Sequence, residues 1–159
     1  MAFWERKQGK LPPFRLADQQ GEVWTLDKVA GKTLIVHLWA SYSAPSVWEM
    51  EFFSALASRL AGSKQFQILS FNVDEDPNAL TAALRGKSFP YPVLAAYHYV
   101  YDIVPFPTLP RTWIVSPEGE WEWERSGSNR ELKAFFAELS RRVVLPPEPA
   151  SPPATALRE

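Results

Sequence analysis

The stretch His37-Leu38-Trp39-Ala40-Ser41-Tyr42-Ser43-Ala44-Pro45-Ser46-Val47-Trp48-Glu49-Met50 constrains the chain more than any other, because the hydrophobic period changes across it. Before it, Ile35, Val36, Leu38 and Trp39 suit a buried strand. After it, Met50, Phe53, Leu56, Ala57 and Leu60 recur at helical spacing, and Pro45 suits a first helical turn. A strand that ends in a small-residue loop and feeds a helix belongs to an α/β fold, and the loop is the natural place for a site.

The loop's wording, Leu38-Trp39-Ala40-Ser41-Tyr42-Ser43-Ala44-Pro45-Ser46 followed by Glu49-Met50, resembles the active-site segment of thioredoxin-fold disulfide reductases. The branch it resembles most is the membrane-anchored thioredoxin-like (TlpA-type) one, close to the redoxins. That branch reads Phe-Trp-Ala-x-Trp-Cys-x-Pro-Cys-x-x-Glu-Met, so serine stands at both cysteine positions, Ser43 and Ser46. Disulfide exchange requires a thiolate, which the family obtains by lowering a cysteine pKa at the helix N-terminus. A serine hydroxyl stays protonated near neutral pH and forms no bond of that kind. As written, the chain has no catalytic residue for dithiol chemistry. The expected role of Ser43 is that of an N-cap whose side-chain oxygen accepts a backbone N–H, stabilising the helix by about 1 kcal/mol over alanine.

Composition closes other routes. A length of 159 residues with 46% hydrophobic content suits one domain with a substantial core. A net charge of -1 without a basic run argues against a nucleic-acid partner. The chain contains no cysteine, which removes structural disulfides, thiolate metal sites and a peroxidatic cysteine together. Two histidines without cysteine make a poor zinc site, and no metal or cofactor is expected. The first eight residues carry charges where a signal peptide needs an apolar run, and no stretch approaches membrane-spanning length. This suggests a cytoplasmic chain without membrane insertion, or a cell-envelope (periplasmic) one if an export segment has been removed.

In chain order, residues 1–9 read as an N-terminal extension. Leu11 to Leu16, the turn Asp18-Gln19-Gln20-Gly21 and Glu22 to Leu26 predict a small hairpin. Pro12-Pro13-Phe14-Arg15-Leu16, Asp18 to Gly21 and Gly31-Lys32 resemble the leader of TlpA-type and related redoxin domains. Phe66 to Val73 predicts a buried strand. Asp74-Glu75-Asp76-Pro77 ends it and opens a helix, with Asp76 as cap, Pro77 as first helical residue and no ligand role for the acidic run. The helix runs through Leu80 and Leu84 to Gly86, and Phe89 to Leu94 is an extended link. Ala95 to Val104 has helical offsets, and Pro105 to Pro110 forbids regular structure. Strands follow at Thr112 to Ser116 and Glu120 to Arg125, the second with Trp121 and Trp123 on a covered face and Glu120, Glu122 and Glu124 on a wet one. Ser128-Asn129-Arg130-Glu131 reads as a capping box opening a helix through Leu132, Phe135, Phe136, Leu139 and Val143. Residues 145–159, rich in proline and alanine, read as a disordered or polyproline-like tail.

Leu109-Pro110-Arg111-Thr112-Trp113 resembles the family's second landmark, the loop with a cis proline beside the redox loop. That resemblance implies that backbone just before Pro110 pairs with an extended peptide, and that Arg111 could place a charge there. The implied architecture is a thioredoxin fold over 10–144, with a mixed central sheet flanked by helices and an N-terminal hairpin. His37 lies where thioredoxins keep a buried acid; it is expected to be a satisfied, partly buried residue rather than a base for Ser43, and His98 a surface or packing residue. Trp39, Tyr42, Ala44, Pro45, Val47, Trp48, Phe106, Leu109 and Pro110 are expected to surround the groove. The preferred functional expectation is a redox-inactive module that binds a protein or peptide. The competing one is a disulfide reductase carried as a double Cys→Ser form, since restoring cysteine gives Cys-Ala-Pro-Cys. A peroxidase and a serine hydrolase are weaker alternatives.

Overall fold

The computed structural model describes residues 2–148. Its elements are β1 (Ala2–Arg6), β2 (Arg15–Ala17), β3 (Val23–Thr25), β4 (Thr33–Trp39), α1 (Ala44–Arg59), β5 (Phe66–Asn72), α2 (Pro77–Leu84), β6 (Val93–Ala95), α3 (Tyr97–Ile103), β7 (Arg111–Val115), β8 (Trp121–Gly127) and α4 (Leu132–Ser140). A six-stranded sheet runs β1-β8-β7-β4-β5-β6, and β2 pairs with β3 in a separate hairpin. β4 and β6 lie parallel to β5, while β7, β8 and β1 run antiparallel to their neighbours, so the sheet is mixed.

β4 is covered on both faces, which is why it reads as a nearly continuous apolar run. Val36 and Leu38 pack with Phe71, Val100 and Trp113 on the side of α3 and the hairpin. Ile35 and Trp39 pack with Phe53, Leu56, Phe135 and Leu139 of α1 and α4 on the other. The small hairpin lies against the β6 edge: Gln19 Oε1 accepts from Val93 N–H at 2.8 Å, and Asp18 bridges to Leu94.

Several expectations change. The residues read as an extension at 1–9 supply β1, which pairs with β8 from Ala2↔Gly127 to Arg6↔Trp123 and is anchored by Trp4, whose indole N–H donates to Glu138 at 2.6 Å. The extended link at 89–94 ends in edge strand β6. Trp121 and Trp123 do not share a face. The register slips between Ile114 and Val115, so Trp121 joins the α3-side core and Trp123 the α1-side core. Glu124, expected to be wet, is buried, accepting from the Trp113 indole at 2.8 Å and pairing with Arg111 at 2.9 Å. α4 starts at Leu132 after Glu131, without a side-chain cap, and ends at Ser140. Ser128 is therefore not its N-cap. Of the proline-rich tail, residues 145–148 are described: Leu145 packs on the α1-side core, and the Pro146 carbonyl accepts from Arg59 Nε at 3.0 Å. Residues 149–159 lie outside the described residues.

Candidate functional site

The site loop is shaped by hydroxyls and one buried carboxylate. Ser43 stands at the N-cap position of α1 with extended backbone, and Pro45 occupies the first turn as expected. The Ser43 side chain makes no capping bond, however; its carbonyl instead accepts the N–H groups of Ser46 and Val47 at 3.0 Å. Ser46 does more of the stitching. Its fully buried Oγ donates to the Ser43 carbonyl at 2.8 Å, lies 3.2 Å from the Ala40 carbonyl and accepts from Ala40 N–H at 3.2 Å. From below, Asp74 accepts from Ser41 N–H at 2.9 Å, Ser41 Oγ at 2.8 Å and Asn72 Nδ2 at 2.8 Å, fixing the loop to the end of β5. Asp76 caps α2 through Asn78 N–H at 2.9 Å.

Across from this loop the Leu109–Pro110 peptide is cis, as the motif implied. Between them lies a groove of about 690 Å³ lined by Ala44, Pro45 and Trp48 of α1 and by Leu109 and Pro110. Gly127, the last residue of β8, and Ser128 and Arg130, from the link between β8 and α4, form its third wall. Among the described residues, the backbone N–H and carbonyl of Leu109 hold no hydrogen bond. Arg111 does not charge this groove. Its guanidinium folds back on Thr108 at 3.0 and 3.1 Å and on Glu124 at 2.9 Å, and Arg130 is the cation at the wall.

The other expected groove residues lie elsewhere. Trp39 is buried, and with Val47 it borders a smaller cavity of about 280 Å³ beside Phe89, which Trp48 also borders. Tyr42 is 67% exposed on the site loop. Phe106 is 87% exposed and held at φ 51°, a left-handed conformation that costs a non-glycine residue roughly 1–3 kcal/mol. Its ring lies edge-on to Tyr101 at 6.3 Å, and Tyr101 packs against Tyr97 at 4.5 Å with the rings tilted by 39°, so an aromatic surface runs along α3 rather than into the groove. His98 is exposed, edge-on to Tyr97.

Beneath the groove sits a buried ionic cluster of which the sequence reading noted only the pieces. Glu49 shares the inward stripe of α1 with Phe53 and Leu56, and it is fully buried. Both its oxygens accept from Arg125 Nη1, at 3.0 and 2.9 Å, and Ser128 Oγ donates to Oε2 at 2.5 Å. Burial pushes the Glu49 carboxyl up, and Arg125 pulls against that shift. His37 is fully buried, stacks on Phe53 at 4.4 Å and places Nε2 3.6 Å from Glu49 Oε1. Neither ring nitrogen makes a hydrogen bond, so it is not the satisfied, partly buried residue expected. Burial, aided by Arg125, lowers its pKa to about 3, which makes it a neutral ring directed at Glu49. The signal in the sequence was a carboxylate on an otherwise apolar helical stripe, which requires a buried cationic partner.

The family model for Redoxin matches residues 6–99, more than half of the chain. The chain belongs to the Redoxin family. Solved structures similar to this Redoxin chain include three bacterial proteins. One is a candidate thiol:disulfide interchange protein DsbE from Chlorobium tepidum, at 18% identity and TM-score 0.73, covering 85% of this chain and 96% of the other. Another is the exposed lipoprotein thioredoxin of Streptococcus pneumoniae, at 16% identity and TM-score 0.70, covering 82% and 99%. StoA from Bacillus subtilis matches at 15% identity and TM-score 0.66, covering 80% and 96%. The fold they share with this chain is the thioredoxin fold, so the resemblance carried by the site loop and the leader holds for both family and fold. This Redoxin chain contains no cysteine. No helix among the described residues is long and apolar enough to cross a membrane.

Proposed function

We propose that this Redoxin-family protein is a redox-inactive module that holds an extended peptide or protein segment in the groove between the Ser43-x-x-Ser46 loop and Pro110. The observation that carries this reading is the groove itself. It is predominantly apolar, about 690 Å³ in volume, flanked by half-exposed Trp48 and by a Leu109 backbone free to pair with a strand, and closed by serines that cannot exchange disulfides. The three contacts of Ser46 Oγ give that hydroxyl a structural role in place of a redox one.

Two measurements test it. Insulin reduction by the chain stays at background, and turnover above background refutes the redox-inactive half. Titration of the ¹⁵N-labelled chain with a panel of extended peptides shifts Ala44, Trp48, Leu109 and Arg130, and Trp48→Ala and Leu109→Asp each weaken the binding at least about tenfold, as loss of a buried anchor does. Peptide-induced shifts that avoid these residues sink the groove reading.

The Redoxin match over residues 6–99 supports a second reading, a thiol-disulfide oxidoreductase carried as a double Cys→Ser form. Cysteine codons at positions 43 and 46 in the source gene decide for it. On either reading, S43C/S46C forms an intramolecular disulfide with a measurable redox potential; failure to close it means that the loop geometry no longer suits two thiols.

A further inference from the structure

We propose that the proline-rich segment 149–159 of this chain is itself an occupant of the groove, reaching it along the seam between α1 and α4. The inference rests on the groove being a peptide site and names the chemistry of its ligand. The sequence places proline at every third position, Pro146, Pro149 and Pro152, with Pro147, Ala150 and Pro153 in the next register. A polyproline II helix has three residues per turn, so this pattern gives two apolar edges and one edge made by Glu148, Ser151 and Ala154. Segments of that kind dock on aromatic-lined grooves at low entropic cost.

The structure sets the starting point and the track. Glu148 pairs with Arg59 at 3.9 Å, and the Pro146 carbonyl accepts from the same guanidinium, so the segment departs from the last residue of α1. The groove lies at the opposite end of that helix. From Arg59 back to Trp48 is about 17 Å along the helix axis at a rise of about 1.5 Å per residue. The eleven residues beyond Glu148 span about 34 Å at roughly 3.1 Å each, enough to enter the groove. The seam has an apolar floor: half-buried Phe136 lies under Arg59 at 5.2 Å and Trp48 packs on Phe52 at 5.0 Å, while Phe52 and Phe135, 5.6 Å apart, are buried between the two helices. At the groove end, Trp48 and Leu132, in the first turns of α1 and α4, are each 38% exposed. The aromatic surface of Tyr97, Tyr101 and Phe106 would suit proline as well, but it belongs with α3 on the other face of the sheet.

The test uses the full chain and its variant P149S/P152S/P153S, whose changes lie beyond the described residues. A segment tethered this closely acts at an effective concentration of about 1 mM, so with an intrinsic Kd of about 0.1 mM it weakens a competing peptide about tenfold. A synthetic peptide with the sequence of residues 146–159 is expected to bind the variant about tenfold more tightly than the wild type. The amide spectra of the two free chains are expected to differ at Trp48, Leu109, Arg130 and Leu132. Equal affinities with matching groove resonances overturn the proposal, and so do differences confined to Tyr97, Tyr101 and Phe106. If the 146–159 peptide binds neither chain while unrelated extended peptides still shift the groove, the proposal falls and the groove reading stands. If no peptide shifts the groove, both fall.

Discussion

Replacing Arg125 by Met removes the only cation within salt-bridge reach of Glu49 among the described residues, and the consequence can be worked out from the geometry. At 2.9 Å and an effective dielectric constant of about 20, the pair attracts by about 6 kcal/mol before the desolvation of both ions is subtracted. Both side chains are fully buried, so the loss of one partner is expected to cost about 3–5 kcal/mol, because the other charge is left without compensation. The sign of the pH dependence follows. In the variant, burial raises the Glu49 pKa with no guanidinium to oppose it, so the native state holds a proton that the unfolded state releases. Stability then falls as pH rises from about 4.5 through the raised native pKa, by up to about 1.4 kcal/mol per unit. Urea unfolding followed by tryptophan fluorescence at pH 5 and pH 8 reads both effects: R125M loses less at pH 5 than at pH 8. The apolar pair E49L/R125M is expected to be more stable than R125M, with a coupling of at least about 2 kcal/mol in the cycle. A single-variant cost below about 1 kcal/mol, the same at both pH values, or an additive cycle would refute the ionic account of this cluster.

Two further outcomes follow from the same buried groups. His37 has a native pKa of about 3 against 6.5 unfolded, so its contribution is present above pH 6.5 and is lost as pH falls through that window, at up to about 1.4 kcal/mol per unit. Glu49 acts in the opposite direction above about 4.5, so the readout is the difference between wild type and His37→Leu, whose acid limb should be shallower by close to one proton. Asp74→Ala removes three hydrogen bonds to Ser41 and Asn72 and is expected to cost about 3 kcal/mol; its second mark is faster amide exchange at Ser41 than at sites far from the loop, and an unchanged Ser41 would contradict the anchoring role.

What could be read from the sequence was local. The strand, loop and helix around Ser43 and the Asp76 cap each declare themselves through a period change or a proline within a few residues, and the cis Pro110 is implied by the family motif that its surroundings resemble. What could not be read depends on partners far along the chain. Glu49 finds Arg125 across 76 positions, and Ser128, whose spacing mimics a capping box, spends its hydroxyl on Glu49 instead of on α4. β1 has too short a pattern to announce itself and becomes a strand only through β8 and the seat of Trp4 on Glu138. The third wall of the groove, Gly127, Ser128 and Arg130, stayed hidden because the local pattern there spells a helix cap rather than a binding surface. The split of Trp121 from Trp123 depends on a register slip that alternation cannot show.

The Gln19 contact on β6 has a consequence for how these molecules meet one another. A side-chain amide bonded to Val93 occupies one border of the sheet much as a neighbouring strand would, so that border offers little to a second molecule. The opposite border is Ala2–Arg6, where exposed Phe3 is followed by charged Glu5 and Arg6. In concentrated solution, stray chain-to-chain pairing would therefore begin on the β1 side, with those two charges as its main deterrent.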